Sequence, residues 1–115
     1  MILVVGGTAS GKRAYVENVL GYRTSEMSVG VIDSKPVVTD LQDLVAASPG
    51  KYLDFLPALL DKAVVVVCET GSGVVPVDRA QRVAREETGR LCILLAERAE
   101  RVVRLVCGVP TVIKC

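Results

Sequence analysis

Short, nearly continuous apolar runs alternate with amphipathic segments along the 115 residues of this chain. The apolar runs are typical of strands buried on both faces of a sheet, and they fall at 2–6, 29–32, 63–68 and 102–107. The segments between them predict helices at 12–20, 40–47, 52–62 and 79–100. This alternation predicts an α/β fold, a mostly parallel sheet with helices on both faces, and the length predicts a single domain over 1–115.

Local sequence signals refine the predictions for two of these helices. Asp78 has the side chain of a helix N-cap and stands directly before the longest helical segment. Pro57 lies inside the segment at 52–62, where it predicts either a kink or a late helix start.

Composition and charge exclude several classes of partner. Only 3% of the residues are aromatic and the formal net charge is +1, so base-stacking platforms and a field that attracts nucleic acid or membranes are both missing. No apolar run approaches the roughly 20 residues of a membrane span, and the amino terminus lacks the basic segment of a signal peptide. We expect a cytoplasmic protein with neither nucleic acid nor membrane as a partner.

Cysteine and histidine usage restricts the chemistry further. The four cysteines show no metal-ligand spacing and no close pair, and we interpret them as buried, unreactive thiols: Cys68, Cys92, Cys107 and Cys115. The chain contains no histidine. An imidazole nucleophile, base or metal ligand is therefore excluded for this polypeptide.

The loop after the first predicted strand carries the most specific chemical signal. Residues 6–12 read Gly-Gly-Thr-Ala-Ser-Gly-Lys, the spacing of a P-loop up to its last position. In such a loop the backbone N–H groups converge on phosphate, the next helix adds its positive dipole end, and the lysine contacts the outer phosphates. A tight turn without a ligand is the alternative. We predict that nucleotide phosphates contact Gly6, Gly7, Thr8, Ala9, Ser10, Gly11, Lys12 and Arg13.

Arg13 departs from the motif, which has Ser or Thr there to bind magnesium. A guanidinium cannot bind a cation, although it can pair with a phosphate oxygen. We therefore expect ATP or GTP as the cofactor, with Mg²⁺ either weakened by Arg13 or held by carboxylates and water.

Two acids follow predicted strands, and open α/β sheets bind ligands at that edge. Glu69 ends the valine run, so we predict a catalytic carboxylate that faces a metal or orients water. Asp33 and Ser34 end the second apolar run and are predicted nucleotide contacts. The alternative for each acid is an ordinary helix cap or a surface position.

In these blocks the chain resembles the adenosylcobinamide kinase/adenosylcobinamide-phosphate guanylyltransferase family. The similarity comprises the loop at 6–12, the segment Glu-Thr-Gly-Ser-Gly-Val-Val-Pro at 69–76, Gly-Arg-Leu at 89–91, and the closing strand at 103–110 with Ile113 and Lys114. The resemblance implies a P-loop NTPase-like fold, a role in cobalamin biosynthesis, nucleotide and corrinoid ligands, and a homo-oligomer. Family members have a longer centre with a histidine that accepts guanylate, so the guanylyltransferase half-reaction is not implied here.

Three hypotheses follow. The first is a kinase that phosphorylates adenosylcobinamide with ATP or GTP, in which Lys12 stabilises the transferring phosphoryl group and Glu69 organises magnesium or the acceptor. The second is a catalytically degenerate paralogue that binds nucleotide or corrinoid and regulates or scaffolds the pathway. Arg13 and the lack of histidine favour it. The third is an unrelated small P-loop kinase in which the segment at 69–76 is a coincidence.

Overall fold

The computed structural model describes residues 1–7, 9–69 and 78–115. Its strands are β1 (Ile2–Gly6), β2 (Met27–Val29), β3 (Val37–Thr39), β4 (Val64–Cys68), β5 (Arg101–Val106) and β6 (Val109–Lys114). Its helices are α1 (Lys12–Asn18), α2 (Leu41–Ala47), α3 (Leu56–Leu60) and α4 (Arg79–Arg98). Short 3₁₀ turns stand at Thr24–Glu26 and Tyr52–Phe55.

All six strands form one sheet in the order β2-β3-β4-β1-β5-β6. The first five in that order are parallel to their neighbours, and β6 pairs antiparallel with β5. The phosphate-loop strand β1 is therefore central, between β4 and β5. The predicted α/β fold with a mostly parallel sheet is confirmed.

Helices cover both faces of the sheet, as predicted. One core lies between the sheet and α1, where Val4, Val16 and Val66 are buried. The other core lies between the sheet and α2, α3 and α4, and Val67 and Leu91 belong to it. Successive residues of β4 serve opposite cores because side chains alternate across a strand. Burying a Val or Leu side chain contributes about 1.5–3 kcal/mol, so the valine run stabilises both layers at once.

The predicted strand at 29–32 is displaced in the structure. The strand that forms, β2, begins with Met27 and Ser28, which are buried. Val29 and Val31 of the predicted strand are 55% and 50% exposed. Gly30 has a φ of 66° and ends the strand. The chain then returns to form β3, a three-residue strand that the sequence analysis did not predict.

The helices follow their local signals. Pro57 lies in the first turn of α3, so the late helix start is confirmed, and the residues before it form a 3₁₀ turn. Asp78 caps α4 through a side-chain oxygen that accepts from the Ala80 N–H at 2.9 Å. The helix ends at Arg98, two residues before the predicted end.

The carboxyl-terminal strand is the second element that the sequence analysis did not predict. Cys107 and Gly108 both have positive φ, 50° and 76°, as a two-residue type I′ hairpin turn requires. The chain therefore reverses into β6 instead of ending the sheet. Pro110 is tolerated in β6 because an edge strand leaves N–H positions unpaired.

This turn also corrects the interpretation of the cysteines. Over the residues that the structure describes, none of the four forms a disulfide, and Cys107 and Cys115 are exposed rather than buried. Cys68 and Cys92 are half-buried. Within the ranges that the structure describes, no helix is long and apolar enough to cross a membrane.

Candidate functional site

The glycine-rich loop curls tightly over the carboxyl end of β1. The Ser10 N–H and the Lys12 ammonium both donate to the Gly7 carbonyl, at 3.2 Å and 2.6 Å. Ala9 and Gly11 have φ values of 56° and 92°, which reverse the chain into α1. Thr8, the remaining predicted phosphate contact of this loop, lies outside the described residues.

Close packing explains two of the glycines. A Cβ on Gly6 would overlap the Ser10 Oγ and would lie 2.9 Å from the Leu105 carbonyl oxygen. A Cβ on Gly11 would lie 3.2 Å from the Gly108 Cα, and the positive φ strains any L side chain there. The loop can therefore approach β5 and its hairpin turn only with glycine at these positions.

A cavity of about 430 Å³, here called the phosphate-loop cavity, opens beside this loop. The loop and α1 contribute Ser10, Lys12 and the exposed Arg13, and Asp40 contributes from the carboxyl end of β3. The remaining lining consists of Ala9, Gly11, Ala14, Thr39 and Val66. Its volume lies in the range of small-molecule sites.

Ser10, which lines this cavity, carries a polar atom without a partner among the described residues. The residue is 7% exposed, and its hydroxyl has no hydrogen-bond partner in the part of the chain that the structure describes. Buried hydroxyls are normally paired, because an unpaired one costs about 1–3 kcal/mol.

Asp40 is a candidate site residue that the sequence analysis did not name. It follows β3 directly and adopts a left-handed conformation, with φ 54° and ψ 49°. Such a conformation is uncommon for a residue other than glycine. Its carboxylate makes no capping hydrogen bond to α2, although it occupies the N-cap position. The signal in the sequence is an acid between a short apolar run and a helical segment. It is weak because the strand before Asp40 has only three residues.

Glu69 lies on the other side of the phosphate loop, in a separate cavity of about 550 Å³. We call this the α4 cavity, and its lining consists of Val5, Gly7, Val67, Cys68, Glu69, Arg85, Thr88, Gly89, Cys92 and Arg104. The Glu69 N–H donates to the Gly6 carbonyl at 2.7 Å. Its carboxylate pairs with the Arg104 guanidinium, with 3.0 Å between Nε and Oε1. The structure thus separates Glu69 from the cavity that contains Lys12.

One thiol of the α4 cavity is electrostatically coupled to this carboxylate. Burial, with a smaller contribution from the Glu69 charge, raises the pKa of Cys92 to about 11. The thiol is therefore neutral at physiological pH and contributes a weakly polar wall.

Asp33 and Ser34 do not reach the phosphate-loop cavity. The Asp33 carboxylate accepts from the Ser28 hydroxyl and from the Lys35 N–H, and these bonds lower the pKa of Asp33, the Ser28 bond most strongly. The Lys62 ammonium, just before β4, donates to the Asp33 carbonyl. The loop therefore runs back towards the amino ends of the strands, away from Lys12.

Acidic and thiol side chains do not converge on a metal centre. Over residues 1–7, 9–69 and 78–115, no group of three or more His, Cys, Asp or Glu side chains could hold a metal ion. A divalent cation in either cavity would therefore need ligands from a substrate and from water.

The fold and loop together define a P-loop-like α/β protein, with a curled glycine–lysine loop after the central strand. The model of the family described as cobinamide kinase / cobinamide phosphate guanyltransferase matches residues 34–113, and the chain belongs to this family. The resemblance seen in the sequence is thereby confirmed. Membership places the chain among phosphorus-group transferases of cobalamin biosynthesis.

The extent of this match matters for the site. It includes Asp40, Glu69 and Arg104 and begins after the phosphate loop. The case for the loop therefore depends on its own sequence and geometry. A comparison with curated proteins finds no match.

Proposed function

We propose that this protein binds ATP or GTP in the phosphate-loop cavity and transfers the γ-phosphoryl group to the hydroxyl of adenosylcobinamide. One observation carries the proposal. Lys12, Ser10 and Asp40 line a single cavity of about 430 Å³, and the Ser10 hydroxyl has no partner among the described residues. A cation, a hydrogen-bond donor and a carboxylate are the groups that a magnesium–triphosphate requires.

Each loop group has a defined part in the proposed reaction. Lys12 neutralises charge on the outer phosphates, and its present partner, the Gly7 carbonyl at 2.6 Å, shows that the ammonium lies over the loop. Ser10 donates its hydroxyl hydrogen to a phosphate oxygen. The first amides of α1 have no partner within the helix and would be available to the same anion. Catalysis of this kind consists mainly of positioning and charge stabilisation.

Magnesium is compatible with the residues present. Mg²⁺ is usually held by one or two carboxylates together with substrate phosphates and water. Among the described residues that line the phosphate-loop cavity, Asp40 is the carboxylate, and Arg13 cannot act as a ligand. We therefore assign the metal-binding role to Asp40 and not to Glu69. The bound ion would screen the negative charge of the phosphates.

The proposed transfer is a single displacement. The acceptor oxygen forms a bond to the γ-phosphorus while the bond between that phosphorus and the β–γ bridging oxygen breaks. The nucleoside diphosphate leaves with the electron pair, and the hydroxyl proton passes to a carboxylate base. Guanylyl transfer through a histidine intermediate is not part of the proposal, because the sequence has no histidine.

The test is turnover of adenosylcobinamide with γ-labelled ATP or GTP and magnesium. We expect labelled adenosylcobinamide phosphate from the wild type and a kcat at least ~100-fold lower for Lys12→Met, the order of effect seen when one charge-stabilising group is removed. Lys51→Met, at an exposed lysine outside the cavity, serves as the control and should match the wild type. Nucleotide binding without any transfer by the wild type would contradict the kinase.

A second candidate is a binding protein without turnover, and Arg13 favours it. This exposed guanidinium lines the phosphate-loop cavity where the motif has a magnesium-binding hydroxyl. In that case calorimetry should give the same nucleotide affinity with magnesium and with a chelator. Arg13→Ser should then create a magnesium dependence that the wild type lacks.

We further propose that the chain assembles as a homo-oligomer. The edge strand β6 exposes several large apolar side chains, Val109, Val112 and Ile113, and exposed apolar clusters often mark protein interfaces. Light scattering after gel filtration should give a mass above that of one chain. A monomer at all tested concentrations would contradict this proposal.

A further inference from the structure

We propose that the α4 cavity holds the hydroxyl-bearing end of the acceptor, so that nucleotide and acceptor reach the phosphate loop from opposite faces of the sheet. This inference rests on the proposed function, because it assigns a binding site to the second substrate. The acceptor end that suits the cavity is uncharged, with an apolar part and hydroxyl or amide groups.

The two cavities meet at the phosphate loop. Gly7 lines the α4 cavity, and its carbonyl holds the ammonium of Lys12, which lines the other cavity. On β4, Val66 lines the phosphate-loop cavity and its neighbour Val67 lines the α4 cavity. Because neighbouring side chains of a strand point to opposite faces, the two ligands would approach from opposite faces of the sheet and meet at the loop.

The lining of the α4 cavity selects a neutral ligand. Its floor consists of Val5 and Val67, beside the half-buried thiol of Cys92. The charged groups Glu69 and Arg104 pair at 3.0 Å, and Arg85, which also lines the cavity, has a partner of its own. A triphosphate would have to displace these partners to gain a cation, whereas a hydroxyl or amide can hydrogen-bond to the exposed atoms of the Glu69–Arg104 pair.

Glu69 is well placed to receive the proton of the acceptor. Its backbone is tied to Gly6 at 2.7 Å, and its carboxylate is fixed by the Arg104 side chain from the far side of β1. In the proposed step the acceptor proton moves to this carboxylate and then to water. Arg104 is a positioning residue, since it acts through Glu69.

Gly89 offers a direct way to fill the α4 cavity. It lies on α4 and lines the cavity, and a Cβ built there meets no atom of the described residues within 4 Å, apart from the helix backbone and its chain neighbours. Gly89→Leu therefore adds a side chain in open space at the cavity wall. Gly89→Ala is the matched control, because alanine favours the helix and adds only one methyl group.

The experiment measures binding of each substrate separately. Dicyanocobinamide, whose cobalt is capped on both faces, is followed by equilibrium dialysis and visible absorbance, and the nucleotide is followed by calorimetry. We expect Gly89→Leu to weaken dicyanocobinamide binding at least 10-fold and Gly89→Ala by less than 3-fold. Nucleotide affinity should stay within 2-fold in both variants.

A second measurement uses the wild-type protein and does not depend on the folding of a variant. Dicyanocobinamide should slow alkylation of Cys92 at pH 9 by at least 5-fold, as read by mass spectrometry. Alkylation of Cys107, which lies outside the α4 cavity, is the internal reference and should not change.

Three results would overturn the assignment. They are unchanged dicyanocobinamide binding by Gly89→Leu, loss of nucleotide binding alone, and failure of the wild type to bind dicyanocobinamide. A wild type that binds both ligands without transferring phosphate contradicts the proposed kinase activity only. The assignment of the acceptor site is then tested by the Gly89 variants.

Discussion

The Gly108 N–H donates to the Ser10 carbonyl at 2.9 Å, which joins the turn of the carboxyl-terminal hairpin to the phosphate loop. Beside this bond, Gly11 and Gly108 approach so closely that a Cβ on Gly11 would lie 3.2 Å from the Gly108 Cα. The hairpin of β5 and β6 therefore supports the loop from outside. Changes at this contact should affect both stability and ligand binding.

Gly11→Ala tests the contact. The added methyl group meets backbone atoms of Gly108, and alanine is strained at a φ of 92°, so we expect a loss of about 1–3 kcal/mol in the free energy of unfolding. Nucleotide affinity should fall as well, because the loop must shift. Urea denaturation and calorimetry measure the two effects. Gly89→Ala is the control and should be neutral or stabilising; equal stability of both variants would contradict the contact.

Glu87 should stabilise the packing of α4 against the loop after α2. Its side chain is 6% exposed, and both carboxylate oxygens accept from the Gly50 N–H at 3.0 Å. Glu87→Ala leaves that N–H without its partner, so we expect a loss of about 1–3 kcal/mol in the free energy of unfolding. Glu87→Gln keeps an acceptor oxygen and should lose less.

The control for this prediction is Glu86→Ala at the exposed neighbouring position, which should stay within about 0.5 kcal/mol of the wild type. Thermal and urea unfolding give the values. A Glu87→Ala variant as stable as Glu86→Ala would show that the Gly50 bond contributes nothing.

Asp33 should make stability depend on pH in the acid range. Its bonds to Ser28 and the Lys35 N–H lower the pKa in the folded state below the ordinary value of 3.8. The unfolded chain then binds more protons between the two pKa values, so this contribution is complete above pH 3.8 and is lost as pH falls through the folded pKa. Asp33→Asn should flatten the dependence of unfolding on pH below 3.8.

Urea denaturation from pH 5 to pH 2.5 measures that slope, with Asp61→Asn at another exposed acid as the comparison. Identical slopes for the wild type and Asp33→Asn would mean that the bonds to this carboxylate have no effect on folding.

The thiols should differ in reactivity. The pKa of Cys92 is raised to about 11, so little thiolate forms at pH 8, and the attacking species in alkylation is the thiolate. We expect iodoacetamide at pH 8 to modify the exposed Cys107 and Cys115 before Cys92. Glu69→Gln should speed alkylation of Cys92, because the carboxylate charge raises its pKa. A Cys92 that reacts as fast as Cys115 would contradict its burial.

Much of the fold could be predicted because β1 and β4 are long apolar runs with clear ends. β2 and β3 were harder, since each has three residues and is placed by pairing with neighbouring strands rather than by its own pattern. β6 was missed because Gly108 and Pro110 usually mark the end of a strand. In this hairpin Gly108 belongs to the turn and Pro110 to the edge strand.

The part of the candidate site that depends on the loop could be predicted from local sequence, whereas the part that depends on the strand order could not. Lys12 and Ser10 line a cavity because they stand next to the loop glycines in sequence. Asp40 lines the same cavity only because β3 lies next to β4 in the sheet, and no local sequence pattern predicts that strand order. Asp33 lies four residues after the end of β2, in a loop that turns back because β3 runs parallel to β2.

The most direct test of the nucleotide site is calorimetric titration of magnesium ATP and magnesium GTP into the wild type, Lys12→Met and Lys51→Met. The proposed site predicts one nucleotide bound per chain, unchanged affinity for Lys51→Met, and at least 10-fold weaker binding for Lys12→Met, which corresponds to about 1.4 kcal/mol. Equal affinity of Lys12→Met and the wild type, or no heat of binding with either nucleotide, would contradict it.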